Sequence, residues 1–190
     1  MTQEEFTAKL ATKFPKIEKA EFEVKDYPTF RVNSPEELLP LMQWLKEEAG
    51  FALLHMVTGT DLKGSLNLDG FIREPNPNVF LPEGATPQIQ PPRDMPNVKY
   101  REMIEILYAV QNLNEKILVM FKLDVPRDGG AAPTLSEIYP TADWQEREIF
   151  DLLGVKFTGH WNLQKILTPD FIEGYPLRKD YVHKKDRFDD

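Results

Sequence analysis

"EILYAVQNLNEKILVMFKLDV" (residues 105–125) is the clearest strand signal in the chain. Ile106, Tyr108 and Val110 alternate on one side of a turn around Asn112–Glu115, and Ile117, Val119, Phe121, Leu123 and Val125 alternate on the other. Period-two apolar runs joined by so short a polar segment predict a β-hairpin with one face buried. Upstream, "FALLHMVTG" (51–59) has the continuous apolar character of a well-buried strand. Two shorter candidates lie at 17–24 and 27–32.

Helices fill the gaps between these strands. Thr2 with Glu5 reads as a capping box that opens a helix carrying Phe6, Leu10 and Phe14 on one face. Ser34-Pro35-Glu36-Glu37 is a strong helix start, with Leu38, Leu41 and Leu45 as the buried stripe and Gly50 placed to end it. Pro40 predicts a kink or a later start. The order α-β-β-α-β-β-β gives a two-layer α+β domain with a mixed sheet over residues 1–134. Residues 135–190 form a second unit, a short helix followed by an extended C-terminal segment. Residues 65–98 hold seven of the sixteen prolines and keep no period, which reads as a surface excursion, either a partner-binding arm or a tolerated insertion.

Composition removes several function classes. With 190 residues the chain buries one good core. A net charge of −8 argues against a binder of nucleic-acid phosphates. With no cysteine, thiolate nucleophiles and Cys-ligated zinc or iron–sulfur clusters are excluded. Histidine is restricted to His55, His160 and His183, too scattered in sequence to suggest a metal cluster. His55 in its apolar strand reads as a core or sheet-edge residue. Gly59 and Gly64 have P-loop spacing, but Ser65 stands where the phosphate-binding lysine belongs, so they read as turn glycines. The N-terminus has no apolar signal region, and no apolar run reaches the roughly 18 residues of a spanning helix. A soluble, cytoplasmic protein able to sit on a membrane complex is the expectation.

The helix predicted over 142–153 carries "EREIFDLLGV" (146–155). At about 100° per residue, Glu146 and Glu148 diverge by roughly 200°, so they cannot work as an acid/base pair. Glu148 with Asp151 would be the pair for a carboxylate hydrolase, but like charges on one face repel. Asp143, Arg147 and Asp151 stand at i, i+4, i+8, where Arg147 can screen Asp151. Ile149, Phe150, Leu152 and Leu153 form an apolar arc that contains Glu146, and Asp143 with Glu146 fits a capping box. Trp144 lies opposite, between Glu148 and Asp151. Such a helix is expected to be covered on both faces. Beyond it, residues 155–190 keep large apolar side chains without a period and carry +1 against −9 for residues 1–154. They must pack on their own domain or on another protein.

"YPTADWQEREIFDLLGVKFTGH" (139–160), "LQKIL" (163–167) and "GYPLRKDY" (174–181) together resemble the signature of the C-type or 30 kDa subunit of respiratory complex I, NADH–quinone oxidoreductase. The resemblance is dense from Leu135 to Tyr181 and departs from the family pattern at Trp161, Gln164 and the long proline-rich segment. It implies a cofactor-free structural subunit of the peripheral arm, on the cytoplasmic side of the bacterial membrane, with FMN and iron–sulfur clusters on partner subunits. It further implies docking on the D-type subunit, which helps form the quinone site, and on nearby iron–sulfur subunits. The residues carried over as partner-binding are Trp144, Glu146, Arg147, Glu148, Asp151, His160, Pro176, Leu177, Arg178, Lys179 and Asp180. Membrane-bound NiFe hydrogenases and F420H2 dehydrogenases have related subunits, and a stand-alone adaptor with this fold is a third reading.

Overall fold

The computed structural model describes residues 2–20, 27–64 and 100–182. The proline-rich segment 65–98, His183 and much of the strand candidate 17–24 lie outside the described residues. The described elements are α1 (Gln3–Lys13), β1 (Glu18–Lys19), β2 (Thr29–Val32), α2 (Pro35–Glu47), β3 (Leu53–Asp61), β4 (Met103–Asn112), β5 (Ile117–Pro126), β6 (Ala131–Pro133), α3 (Ala142–Leu153) and β7 (Lys156–Thr158). The predicted α+β class and element order hold, with the small strands β6 and β7 added.

The hairpin that decides the fold is in place. β4 and β5 pair antiparallel from Met103↔Pro126 to Asn112↔Ile117. Lys116, at φ 56, takes the left-handed conformation where the turn closes. The five-stranded sheet runs β1-β2-β5-β4-β3 and is mixed, because β2 joins β5 in parallel. Its core face carries Phe30, Phe121, Tyr108 and Val57 in register across four strands. Phe30 and Phe121 stack at 5.7 Å, and Phe6 of α1 meets Phe30 edge-on. Period-two burial on β4 and β5 thus becomes one apolar layer, which α1 and α2 cover.

Both predicted helix starts are observed. Thr2 and Glu5 form the reciprocal capping box, and the Ser34 hydroxyl accepts from the Glu36 amide. α2 begins at Pro35 and continues through Pro40, so the later start does not occur. Pro40 has no amide to donate to the Glu36 carbonyl four residues back, so α2 forgoes that one bond and carries on. β3 is not the well-buried strand its composition suggested. It is a sheet edge with His55 exposed and Met56 38% exposed. A register irregularity between Leu54 and Met56 re-aims the strand there.

Gly59 is not a turn glycine; it lies inside β3. A Cβ there would come within 2.5 Å of Leu153 and 3.3 Å of Ile149, so its bareness is what lets α3 lie against the strand. At the far end of β3, the Leu62 amide donates to the Met103 carbonyl and the Arg101 amide to the Leu62 carbonyl. That joint brings together, at the sheet edge, the described residues that flank 65–99. β6 and β7 form a separate parallel pair, which seats Ala132, Val155 and Phe157 in the core.

Candidate functional site

α3 spans the predicted residues and ends at Gly154, whose φ of 78 makes the left-handed cap. Its N-cap is Thr141, which makes no side-chain cap bond, so Asp143 and Glu146 do not form the predicted capping box. Glu146 instead reaches back to the preceding loop. It accepts from the Leu135 amide at 2.7 Å and the Thr134 hydroxyl at 2.5 Å. This carboxyl is fully buried. Burial pushes its pKa up to about 7, against those two hydrogen bonds and with help from the Asp143 charge.

The core arc is narrower than expected. Ile149 and Leu153 are buried against β3, whereas Phe150 and Leu152 are only half-buried. On the opposite side Trp144 is 65% exposed, with the Arg147 guanidinium 5.1 Å from its ring centre. Glu148 is exposed. Arg147 does not screen Asp151; its Nε donates to the Gln164 carbonyl.

Asp151 is fully buried and is occupied by the chain's own C-terminal segment. Its Oδ2 accepts from the amides of Ile166, Leu167 and Thr168 at 3.0, 2.8 and 2.9 Å, and its Oδ1 from the Thr168 hydroxyl. Burial opposes ionisation, but these donors outweigh it and hold the carboxyl below its usual range. Three consecutive amides converging on one carboxylate form an anion nest. Two turns further back along α3, the His160 Nε2 lies 3.3 Å from the Asp143 carbonyl oxygen and the Trp161 indole donates to Asp143 Oδ2 at 3.0 Å. His160 is itself fixed by the Asn162 amide, which donates to its Nδ1 at 3.1 Å.

The segment then returns to the sheet. The Leu177 amide donates to the Leu152 carbonyl at 3.0 Å. Tyr175 packs on Gly154, where a Cβ would stand 2.4 Å from the ring. Arg178 stacks on Tyr175 at 4.5 Å, donates from Nε to the Leu153 carbonyl, and pairs with Asp128 at 3.0 Å. Pro176 is half-buried beside them. The Lys179 amide donates to Asp61 Oδ2 at 2.9 Å. Asp180 pairs with Lys63 at 3.1 Å and, through both oxygens, with Arg127 at 2.5 and 3.1 Å.

Arg127 and Asp61 are the residues that sequence reasoning missed. Arg127 is buried just after β5 and grips Asp61, at the end of β3, with two bonds of 2.9 Å. Burial works against the Asp61 charge, but the bonds from Arg127 and the amides of Lys179 and Lys63 keep its pKa lowered. Hydrogen bonding to Arg127 and Lys63 lowers Asp180 further, although burial opposes it. The available signal was an arginine and an aspartate at the ends of strongly apolar strands, where side chains turn from core to rim.

Around these polar anchors large apolar groups stay exposed: Trp161 at 75%, Leu167 at 59%, Phe171 at 66% and Leu177 at 55%. The helix and its following segment therefore offer an apolar surface on a polar-pinned base. Among the described residues, no group of three or more potential ligands is placed to hold a metal ion.

Residues 32–187 match the family described as "Respiratory-chain NADH dehydrogenase, 30 Kd subunit". The C-type subunit of NADH-quinone oxidoreductase from Moorella thermoacetica is 32% identical over 176 residues, covering 93% of each chain. A Pseudomonas paraeruginosa protein named as a C/D-type subunit of the same oxidoreductase is 34% identical over 123 residues, which are 63% of this chain and 20% of that one. Among solved structures, a chain of the membrane-bound sulfane sulfur reductase, an archaeal respiratory membrane complex, superposes with a TM-score of 0.59 at 23% identity. It covers 94% of this chain and 85% of that one, a likeness of fold. By the extent of the family match and of the Moorella alignment, this chain belongs to the 30 kDa subunit family of respiratory-chain NADH dehydrogenase.

Proposed function

We propose that the chain is a cofactor-free structural subunit in the peripheral arm of a proton-translocating NADH–quinone oxidoreductase. It docks on the D-type subunit of the quinone site and on neighbouring iron–sulfur subunits, on the cytoplasmic side of a bacterial membrane. FMN and the iron–sulfur clusters belong to those partners; a chain without cysteine has no thiolate to ligate a cluster. Membrane association in this reading is through the complex, and no described helix is long and apolar enough to cross a membrane.

The observation that carries this reading is the apolar surface around α3, lying within the part of the chain that matches the family. Exposed tryptophan beside arginine is the composition of an interface anchor. Trp144, Arg147, Glu148, Pro176, Leu177 and Lys179 fit a contact set, as does Trp161. His160, Arg178 and Asp180 act mainly by placing the segment that carries them. Glu146 and Asp151 are engaged within the chain and contribute from beneath. The C/D designation of the Pseudomonas relative supports a D-type neighbour, since one longer chain there carries both letters.

The test is recovery of the assembled complex from detergent-solubilised membranes with Trp144→Ala and Trp161→Ala. Loss of an interface anchor costs about 2 kcal/mol or more, roughly thirtyfold in affinity. Trp144→Ala is expected to leave the isolated chain as stable as wild type, within about 0.5 kcal/mol, because its ring is largely exposed, whereas Trp161→Ala also gives up the indole bond to Asp143 and should cost about 1 kcal/mol. Recovery of both at wild-type yield would refute the docking surface.

A further inference from the structure

The turn from β5 to β6 carries a dipeptide whose chemistry the proposed docking does not use. Asp128 and Gly129 are both exposed, between the buried residues Arg127 and Gly130. Gly129 takes a left-handed φ of 71, and beyond its chain neighbours no heavy atom lies within 4 Å of where its Cβ would stand. Among the described residues its amide donates no hydrogen bond, and neither carbonyl of the pair accepts one. The fixed points lie outside the pair. The Arg127 amide donates to the Glu102 carbonyl at 3.4 Å, and the Gly130 carbonyl accepts from the Lys156 amide at 3.1 Å. The Asp128 side chain is 93% exposed and meets one charged group, the Arg178 guanidinium, at 3.0 Å. A single-point pair this open to water is too weak to fix the carboxyl in one rotamer.

We propose that Asp128-Gly129 is a site of spontaneous succinimide formation, and that its isoaspartyl product is a substrate for an S-adenosylmethionine-dependent carboxyl methyltransferase. The Gly129 nitrogen attacks Asp128 Cγ. The N–Cγ bond forms, the bond from Cγ to the carboxyl hydroxyl breaks, and that hydroxyl leaves with the amide proton as water. Water then adds to either carbonyl of the ring. Addition at Cγ restores aspartate; addition at the main-chain carbonyl routes the backbone through the side chain and frees an α-carboxylate. The methyltransferase passes the sulfonium methyl to that carboxylate, and the ester closes back to the succinimide as methanol departs. Glycine suits the step because no Cβ crowds the attacking nitrogen and its peptide turns freely. Ring closure requires the Asp128–Gly129 peptide to rotate, and that rotation breaks no hydrogen bond. The isoaspartyl form adds one atom to the main chain between two fixed points. Arg127, which grips Asp61, and β6, which pairs with β7, must then shift relative to each other.

Asp69-Gly70 is the same dipeptide and lies outside the described residues, so the test is read peptide by peptide. The purified full chain is aged at physiological pH and temperature beside a sample held unfolded in guanidinium chloride, and both are digested and mapped. The peptide containing Asp128 and Gly129 is expected to split into isobaric species, with a minor form lighter by one water. The split should proceed within about tenfold of its rate in the unfolded chain, one tenfold step in barrier. Purified isoaspartyl methyltransferase with labelled S-adenosylmethionine should mark that peptide in aged protein and not in fresh protein. Asp128→Glu, which would have to close a larger ring, should lose both the split and the label. Asp128→Asn should deamidate through the same ring, faster than the wild type isomerises. Both substitutions change an exposed side chain and are expected to leave the fold intact. A peptide that stays single in the folded chain, or lags the unfolded one by more than about tenfold, would overturn the proposal. So would a label confined to the peptide containing Asp69 and Gly70.

Discussion

Glu146 sits on the buried arc of α3, between the Thr134 hydroxyl and the Leu135 amide. Its folded pKa is raised to about 7 from an ordinary value of 4.5, chiefly by burial. The folded state therefore holds a proton that the unfolded state has lost between those two values. Stability is fully present below about 4.5, falls as pH rises, and levels off above about 7, by roughly 3 kcal/mol in all at about 1.4 kcal/mol per unit. Glu146→Gln keeps the shape and cannot titrate. Urea midpoints compared at pH 5 and pH 8 are expected to fall for wild type and to fall much less for the variant. The lowered carboxyls Asp61, Asp151 and Asp180 act in the opposite window, losing their contribution as pH drops below about 4. A glutamate inside an apolar arc was visible from helical projection. Its partners were not, because Thr134 and Leu135 precede α3 in irregular chain that no period connects to it.

α3 itself was legible from end to end, since a 3.6-residue period and a following glycine define both limits. β6 and β7 were not: three residues each are too few to express a period of two. Their pairing alters what a truncation does. Val155 and Phe157 are buried in the common core, so a chain ending at Gly154 loses two core side chains and the β6 partner. A chain ending at Gly159 keeps them. Loss of a large core side chain typically costs about 3–5 kcal/mol, and thermal unfolding of the two truncations is expected to differ by at least that much. Both leave Asp151 without the amides of 166–168, a deficit common to the pair that cancels in the comparison. The charged stripe of α3 was equally legible as a face needing cover. That its cover is the chain's own following segment could not be read, because Asp151 is met there chiefly by backbone amides, which carry no sequence signature.

For the molecule as a whole, the antiparallel centre of the sheet followed from the alternation in residues 105–125, and the family from a dense run of signature residues beyond it. The parallel junction of β2 with β5 had no such trace, as strand direction leaves no mark on composition. At Leu62, which is hydrogen-bonded to Met103 and Arg101, the described residues flanking 65–99 are held together at the sheet edge. The entropy lost in closing a loop grows only with the logarithm of its length, so halving a loop recovers about 0.6 kcal/mol. Removing half of residues 65–98 is expected to change the urea-unfolding free energy by no more than about that amount. A larger loss would mean that the removed residues contribute contacts of their own. The joint is thus a site where the chain can lengthen or shorten over evolutionary time at almost no thermodynamic cost, while residues 160–180, bonded to α3 and the sheet at one position after another, allow no change of length.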